Sequence, residues 1–262
     1  MNKNHEIDYK LHGEEMQCVE IELDPQEAVI AEPGSFMMMQ DGITMQTLFG
    51  DGNATGLMGK LFSAGKRLLT GENLFMTVYT NEATRRLSVS FAAPYSGKII
   101  PLQLEQLGGK MICQKDSFLC AAKGVSVGIE FQKKLGTGLF GGEGFIMQKL
   151  EGDGWAFVHS GGHVIEKELQ AGERLKVDTG CIVAFTSSVD YDIQFVGGIK
   201  NSLFGGEGLF YAVLTGPGKV WLQTLPISRL AGRILSYGST GGRKEEGSML
   251  GGLGNIFDGD GI

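Results

Sequence analysis

The chain has 262 residues, 42% hydrophobic and 20% charged, with a formal net charge of −7. A chain of this length and balance buries a core without disulfide or metal staples, and its acidity argues against a broad nucleic-acid or anionic-lipid footprint. No run of 18 apolar residues occurs, so no membrane-spanning helix is expected.

Residues 1–16 are polar and acidic, unlike a secretory signal. The four cysteines, Cys18, Cys113, Cys120 and Cys181, are scattered and form no CxxC pair. Together these features predict buried free thiols in a cytoplasmic protein. Glycine, 42 residues in all, is about twice its usual share of roughly 7%. It follows no G-X-Y period and sits between short apolar runs, where turns and bulges need it.

The first strand-rich unit spans about 16–104. It opens on Glu32-Pro33-Gly34-Ser35-Phe36, and the cluster Phe36-Met37-Met38-Met39 with Met45 reads as core filler. Between Gly56 and Gly71 lie Lys60, Lys66 and Arg67 among leucines and a phenylalanine. No Walker A spacing is present, so this is a basic, apolar surface loop that could touch a protein or lipid partner. Leu68-Leu69-Thr70-Gly71-Glu72-Asn73-Leu74-Phe75 then leads into strands split by a turn at Asn81-Glu82-Ala83-Thr84.

The second unit, about 109–170, repeats the opening as Lys115-Asp116-Ser117-Phe118-Leu119. Gly124-Val125-Ser126-Val127-Gly128 matches a nucleophile elbow, but an alternating strand follows where the elbow needs a helix. Gly136 to Gly141 matches G-x-G-x-x-G and likewise lacks the helix that would hold a pyrophosphate. Leu139-Phe140-Gly141-Gly142-Glu143-Gly144-Phe145 leads into strands around the turn Glu151-Gly152-Asp153-Gly154. His159 and His163, with Glu166 or Glu168, are the candidate ligands of a cupin-like metal site; two glycines between the histidines also suit an ordinary exposed turn.

The third unit, about 172–233, opens on Asp178-Thr179-Gly180-Cys181-Ile182 and returns the motif as Leu203-Phe204-Gly205-Gly206-Glu207-Gly208-Leu209. A turn at Thr215-Gly216-Pro217-Gly218 follows. Ile227 to Leu235, after Pro226, is the one amphipathic stretch and predicts a short helix. The remainder, 236–262, is Gly-rich and is expected to be a flexible tail. The expected fold is therefore all-β: antiparallel sandwich or double-stranded β-helix-like units, three in tandem, packed into one body over 1–235. Gly141, Gly142, Gly144, Gly205, Gly206 and Gly208 are expected at its structural turns.

The paired Gly-Gly-Glu-Gly-apolar motifs at 141–145 and 205–209 are each followed by a turn and a Trp-bearing strand. With the closing Leu225-Pro226-Ile227-Ser228-Arg229-Leu230-Ala231 they carry a resemblance. Over about residues 6–235 the chain resembles the mitochondrial biogenesis family named for altered inheritance of mitochondria, in a bacterial branch of unknown function. The resemblance implies a fold like that of the tryptophan RNA-binding attenuation protein and homo-oligomerisation, with a trimer favoured. It implies no catalytic residue, no cofactor and no nucleic-acid binding. The functional expectation is a non-enzymatic, self-associating β scaffold. The alternatives are a cupin-like metal or small-molecule enzyme and a peripheral membrane protein.

Overall fold

Short segments with apolar side chains at alternate positions become strands, because alternation places one apolar row on one face of a sheet. Cys18–Leu23, with Val19, Ile21 and Leu23 fully buried, shows this directly. A computed structural model describes residues 4–49, 75–133, 145–195 and 210–238.

After an initial strand, β1 (Asp8–His12), the strands fall into three groups of six. The first comprises β2 (Cys18–Leu23), β3 (Ala28–Ala31), β4 (Phe36–Met39), β5 (Ile43–Phe49), β6 (Phe75–Asn81) and β7 (Leu87–Ala92). The second comprises β8 (Gly97–Gln103), β9 (Lys110–Gln114), β10 (Phe118–Ala122), β11 (Ser126–Lys133), β12 (Phe145–Glu151) and β13 (Trp155–Gly161). The third comprises β14 (Val164–Leu169), β15 (Arg174–Asp178), β16 (Ile182–Thr186), β17 (Asp190–Phe195), β18 (Phe210–Thr215) and β19 (Gly218–Gln223).

Every group pairs in the same way. Its sixth strand lies between its first and third, and its fifth between its second and fourth, all antiparallel. A bulge follows the first residue of each third strand, at Phe36/Met38, Phe118/Cys120 and Ile182/Ala184. The groups are fused where the second strand of one pairs with the third strand of the next, β3 with β10 and β9 with β16. Two six-stranded sheets result, β5-β6-β3-β10-β13-β8 and β11-β12-β9-β16-β19-β14. Half-sheets remain at the ends: β4-β7-β2 extended by β1, and β17-β18-β15.

Three cores fill the body, each drawing side chains from more than one group. Val19, Ile21, Phe91 and Phe157 fill the first, Ile30, Leu102, Leu150 and Val158 the second, and Phe145, Ile182, Phe185 and Leu214 the third. Predominantly antiparallel β architecture with one C-terminal helix is the predicted class. That helix, α1 (Ile227–Gly238), runs three residues beyond the sequence expectation and belongs to a compact unit that begins at Ile227, apart from the body that ends at Pro226.

Residues 4–12 form a strap between the first two groups. β1 lies on β2, while Tyr9 packs edge-on against Trp155 at 5.0 Å and Phe157 at 4.9 Å. The Asn4 amide donates to Asp153 Oδ1, and a Cβ at Gly124, Gly152 or Gly154 would strike the Asn4 side chain. His5 donates its backbone N–H to the Lys123 carbonyl and accepts the Ala28 N–H on Nδ1.

Burial first, and Lys123 second, hold the His5 pKa below its ordinary value. Burial does the same to His159, against an opposing hydrogen bond from its ring to the Tyr95 carbonyl. A histidine with a depressed native pKa binds fewer protons folded than unfolded. Its contribution is therefore fully present above the ordinary 6.5 and is lost as pH falls towards the native value. Urea midpoints should drop between pH 7.5 and 5, and a His5→Gln, His159→Gln chain should lose part of that dependence.

Candidate functional site

The first and fourth strands of the groups lie at sheet edges, except β2, which β1 covers. β4 and β15 differ: their counterparts in the other groups are interior, yet among the described residues these two pair on one side only, with β7 and β18. The fused joints share one register. Ala31 faces Cys120 and Ile30 faces Ala121 at the first; Cys113 faces Ala184 and Ile112 faces Phe185 at the second. Five positions separate Ala31 from Phe36, Cys113 from Phe118 and Val177 from Ile182. Val177 thus stands where Ala31 and Cys113 stand, and Met38 where Cys120 and Ala184 stand.

Their environments differ sharply. Phe36, Met37, Met38 and Met39 are 38–52% exposed, whereas β10 and β16 are buried at every residue. The expectation that this methionine cluster fills the core is corrected: only the Phe36 ring reaches inward, stacking on Tyr79 at 5.5 Å, and Met45 is exposed as well. The misreading has a physical origin, since a continuous apolar run reads identically for a strand buried in a core and for one bare on an open edge. On β15, Val177 is buried and Lys176 Nζ lies over the Tyr211 ring at 5.2 Å.

Charge gathers beside the first joint. Burial pushes the Glu32 carboxyl up to about 7, with Lys115 pulling it down and Asp116 pushing it further up. The equivalent position is Gln114 at the second joint and Asp178 on β15.

The histidines are placed apart in character. His159 is buried, with Nε2 3.1 Å from the Tyr95 carbonyl oxygen and the ring edge-on to Tyr95. Its Nδ1 makes no hydrogen bond among the described residues. Gln223 occupies the matching position on β19, accepting from the Gly161 amide and donating to the Gly180 carbonyl. His163 is exposed at the following turn. Glu166 is engaged by Lys219 Nζ and Trp221 Nε1. Among the described residues no three metal-ligating side chains converge.

Ser126 opens β11, so no elbow into a helix forms there. Lys60, Lys66, Arg67 and the glycines at 141, 142, 144, 205, 206 and 208 lie outside the described residues, as do 239–262.

Two of the cysteines depart from expectation: Cys18 and Cys181 are half-buried, while Cys113 and Cys120 are fully buried. Burial pushes the Cys113 thiol up to about 12, Glu32 adding to it, and raises Cys120 well above its ordinary value. Native protein should therefore release colour from a disulfide reagent at Cys18 and Cys181 first, and from Cys113 and Cys120 only on unfolding. Equal native rates at all four would contradict the burial.

A family model described as "Mitochondrial biogenesis AIM24" matches residues 9–225. The chain belongs to the AIM24 family. This AIM24 chain is 30% identical over 222 residues to a Streptococcus pyogenes serotype M6 protein described as uncharacterized, covering 84% of the chain and 86% of that protein. An X-ray structure of a Streptococcus pyogenes protein matches it with a TM-score of 0.70 at 23% identity, over 88% of this chain and 99% of that one. The second likeness shows that the AIM24 chain shares that protein's fold.

Proposed function

We propose that this protein is a non-enzymatic, self-associating β scaffold of the cytoplasm, whose copies join head to tail by pairing β15 of one with β4 of the next. The observation that carries this reading is the joint the chain uses twice internally and leaves open at both ends. Adding β17-β18-β15 to β4-β7-β2 reproduces the strand order of the two internal six-stranded sheets, with β1 as a seventh strand. Val177 then faces Met38, and Lys176 faces Met39. Open, apolar strand edges attract pairing unless they are blunted or covered, and this one carries no proline or charge on β4.

Such a contact uses two different surfaces, so it generates a ring where the rotation closes and a filament where it does not. A ring of three copies is the expected closure. The test is the native mass set against the denatured mass. A whole multiple of the chain mass with no excess supports an empty homo-oligomer. A monomer at micromolar concentration overturns the reading, and an excess that vanishes on denaturation replaces the scaffold with a ligand carrier.

A further inference from the structure

Three segments remote in sequence meet at the end of the first fused joint. The His5 amide donates to the Lys123 carbonyl at 2.9 Å, and the Lys123 amide donates to the Ala28 carbonyl at 3.0 Å. The Ala28 amide completes the circuit by donating to His5 Nδ1 at 2.9 Å. This closed cycle ties the strap to β3 of the first group and to the turn after β10 of the second. All its members but one are backbone groups, whose donor or acceptor character is fixed. The exception is the imidazole nitrogen, which accepts only while the ring is neutral with its proton on Nε2. An imidazolium carries N–H on both nitrogens, so protonated His5 would turn a donor against the Ala28 donor.

We propose that this cycle is a proton-operated clasp: protonation of the His5 ring releases residues 4–6 from their seat on the second group and leaves the β body folded. The charged groups around the ring favour release. Lys123 faces it from the β10–β11 turn and, after burial, opposes its protonation in place. Glu27, next to Ala28, already accepts the Asp24 amide, and Asp153, from the turn before β13, accepts the Asn4 amide. Glu6, on the strap itself, is exposed. The seat is also incompletely bonded, since Asn4 Nδ2 is buried without a hydrogen bond among the described residues. Withdrawal returns that donor to water. Release stops at Ile7, which is buried in the first core, and β1 stays paired with β2 from Asp8↔Glu22 to His12↔Cys18. The sign follows from the depressed native pKa of His5: the clasp is tight above the ordinary 6.5 and loosens as pH falls towards the native value. It works within one chain, whatever the oligomeric state.

The test is amide hydrogen exchange of the full chain at pH 7.5 and 5, read peptide by peptide by mass spectrometry and corrected for the intrinsic rate at each pH. On acidification, peptides spanning residues 4–6, 26–29 and 121–125 should lose protection by about fivefold or more, while β13 and β16 change by less than about twofold. His5→Gln has no proton to gain in this range. Whether its clasp starts tight or loose, the same peptides should change by less than about twofold. His159→Gln removes the other histidine with a depressed pKa and should keep the wild-type response.

Wild-type protection that does not change with pH, or that His5→Gln loses equally, overturns the clasp. Loss that reaches β13 and β16 by the same factor is global acid unfolding and overturns it as well. A response that survives in His5→Gln and vanishes in His159→Gln moves the sensor to the buried His159, and the assignment to His5 falls.

Discussion

A chain carrying Met39→Lys should run as a monomer, and adding Lys176→Glu should restore the oligomer. Met39 stands where Ala121 and Phe185 stand at the internal joints, and both of those are completely buried. In the head-to-tail contact its partner across the ladder is Lys176, so a lysine at 39 opposes a like charge in a closing, drying joint. Leaving a buried charge without a partner costs about 3–5 kcal/mol, a weakening of more than a hundredfold. Reversing the sign at 176 turns that repulsion into a cross-strand pair. Met39→Glu alone should be tolerated better than Met39→Lys for the same reason. Residues 39 and 176 matter to each other only between copies. Rescue would therefore fix the register as well as the contact, and two lysine-bearing variants that both stay oligomeric would sink the β4–β15 pairing.

The largest effect on stability is expected at Gly97, where valine should leave no soluble folded protein. Gly97 opens β8 opposite Gly161, the last residue of β13, and its amide donates to the Glu15 carbonyl. A Cβ there would collide with the Ser160 carbonyl oxygen, and one at Gly161 with the Leu225 carbonyl and the Tyr95 ring. The obstacles are mostly backbone held in a ladder, so relief requires strands to move apart, at a cost above about 4 kcal/mol. Gly34 is the control. Its φ is +92° but nothing lies within 4 Å of its would-be Cβ, so Gly34→Ala should cost only the left-handed backbone penalty of about 1–2 kcal/mol. Comparable melting points for Gly97→Val and Gly34→Ala would contradict the close approach.

The contrast shows what a glycine-rich sequence discloses. Periodic apolar runs and their polar turns revealed the strands, because side-chain alternation is a local property. The corners at 32–36, 114–118 and 178–182 hold equivalent places in the three groups, but their residues differ, so the openings at Glu32, Lys115 and Asp178 match only approximately. Which glycines are indispensable was not legible. The conspicuous pairs at 141–142 and 205–206 drew attention, while Gly97 and Gly161 are demanded by chain segments far away in sequence. The strap was hidden for a similar reason: Asn4 fits a hollow made by Gly124, Gly152 and Gly154, and no pattern around residue 4 announces it. The candidate site was misread because β4 has the composition of a core strand and the position of an edge. His159, only a candidate ligand by its spacing from His163, occupies the place of the internal hydrogen-bonding Gln223.

The strap joining residues 4–12 to the second group also orders events at the ribosome. Asn4 binds a carboxylate 149 positions further along the chain. At synthesis rates of about 5–20 residues per second, the N-terminal segment waits about 7–30 s for its seat to be made. Until then Tyr9 lacks Trp155 and Phe157, and the first core stays open along the flank those rings close. The strap is made well before its seat and is among the last segments to dock.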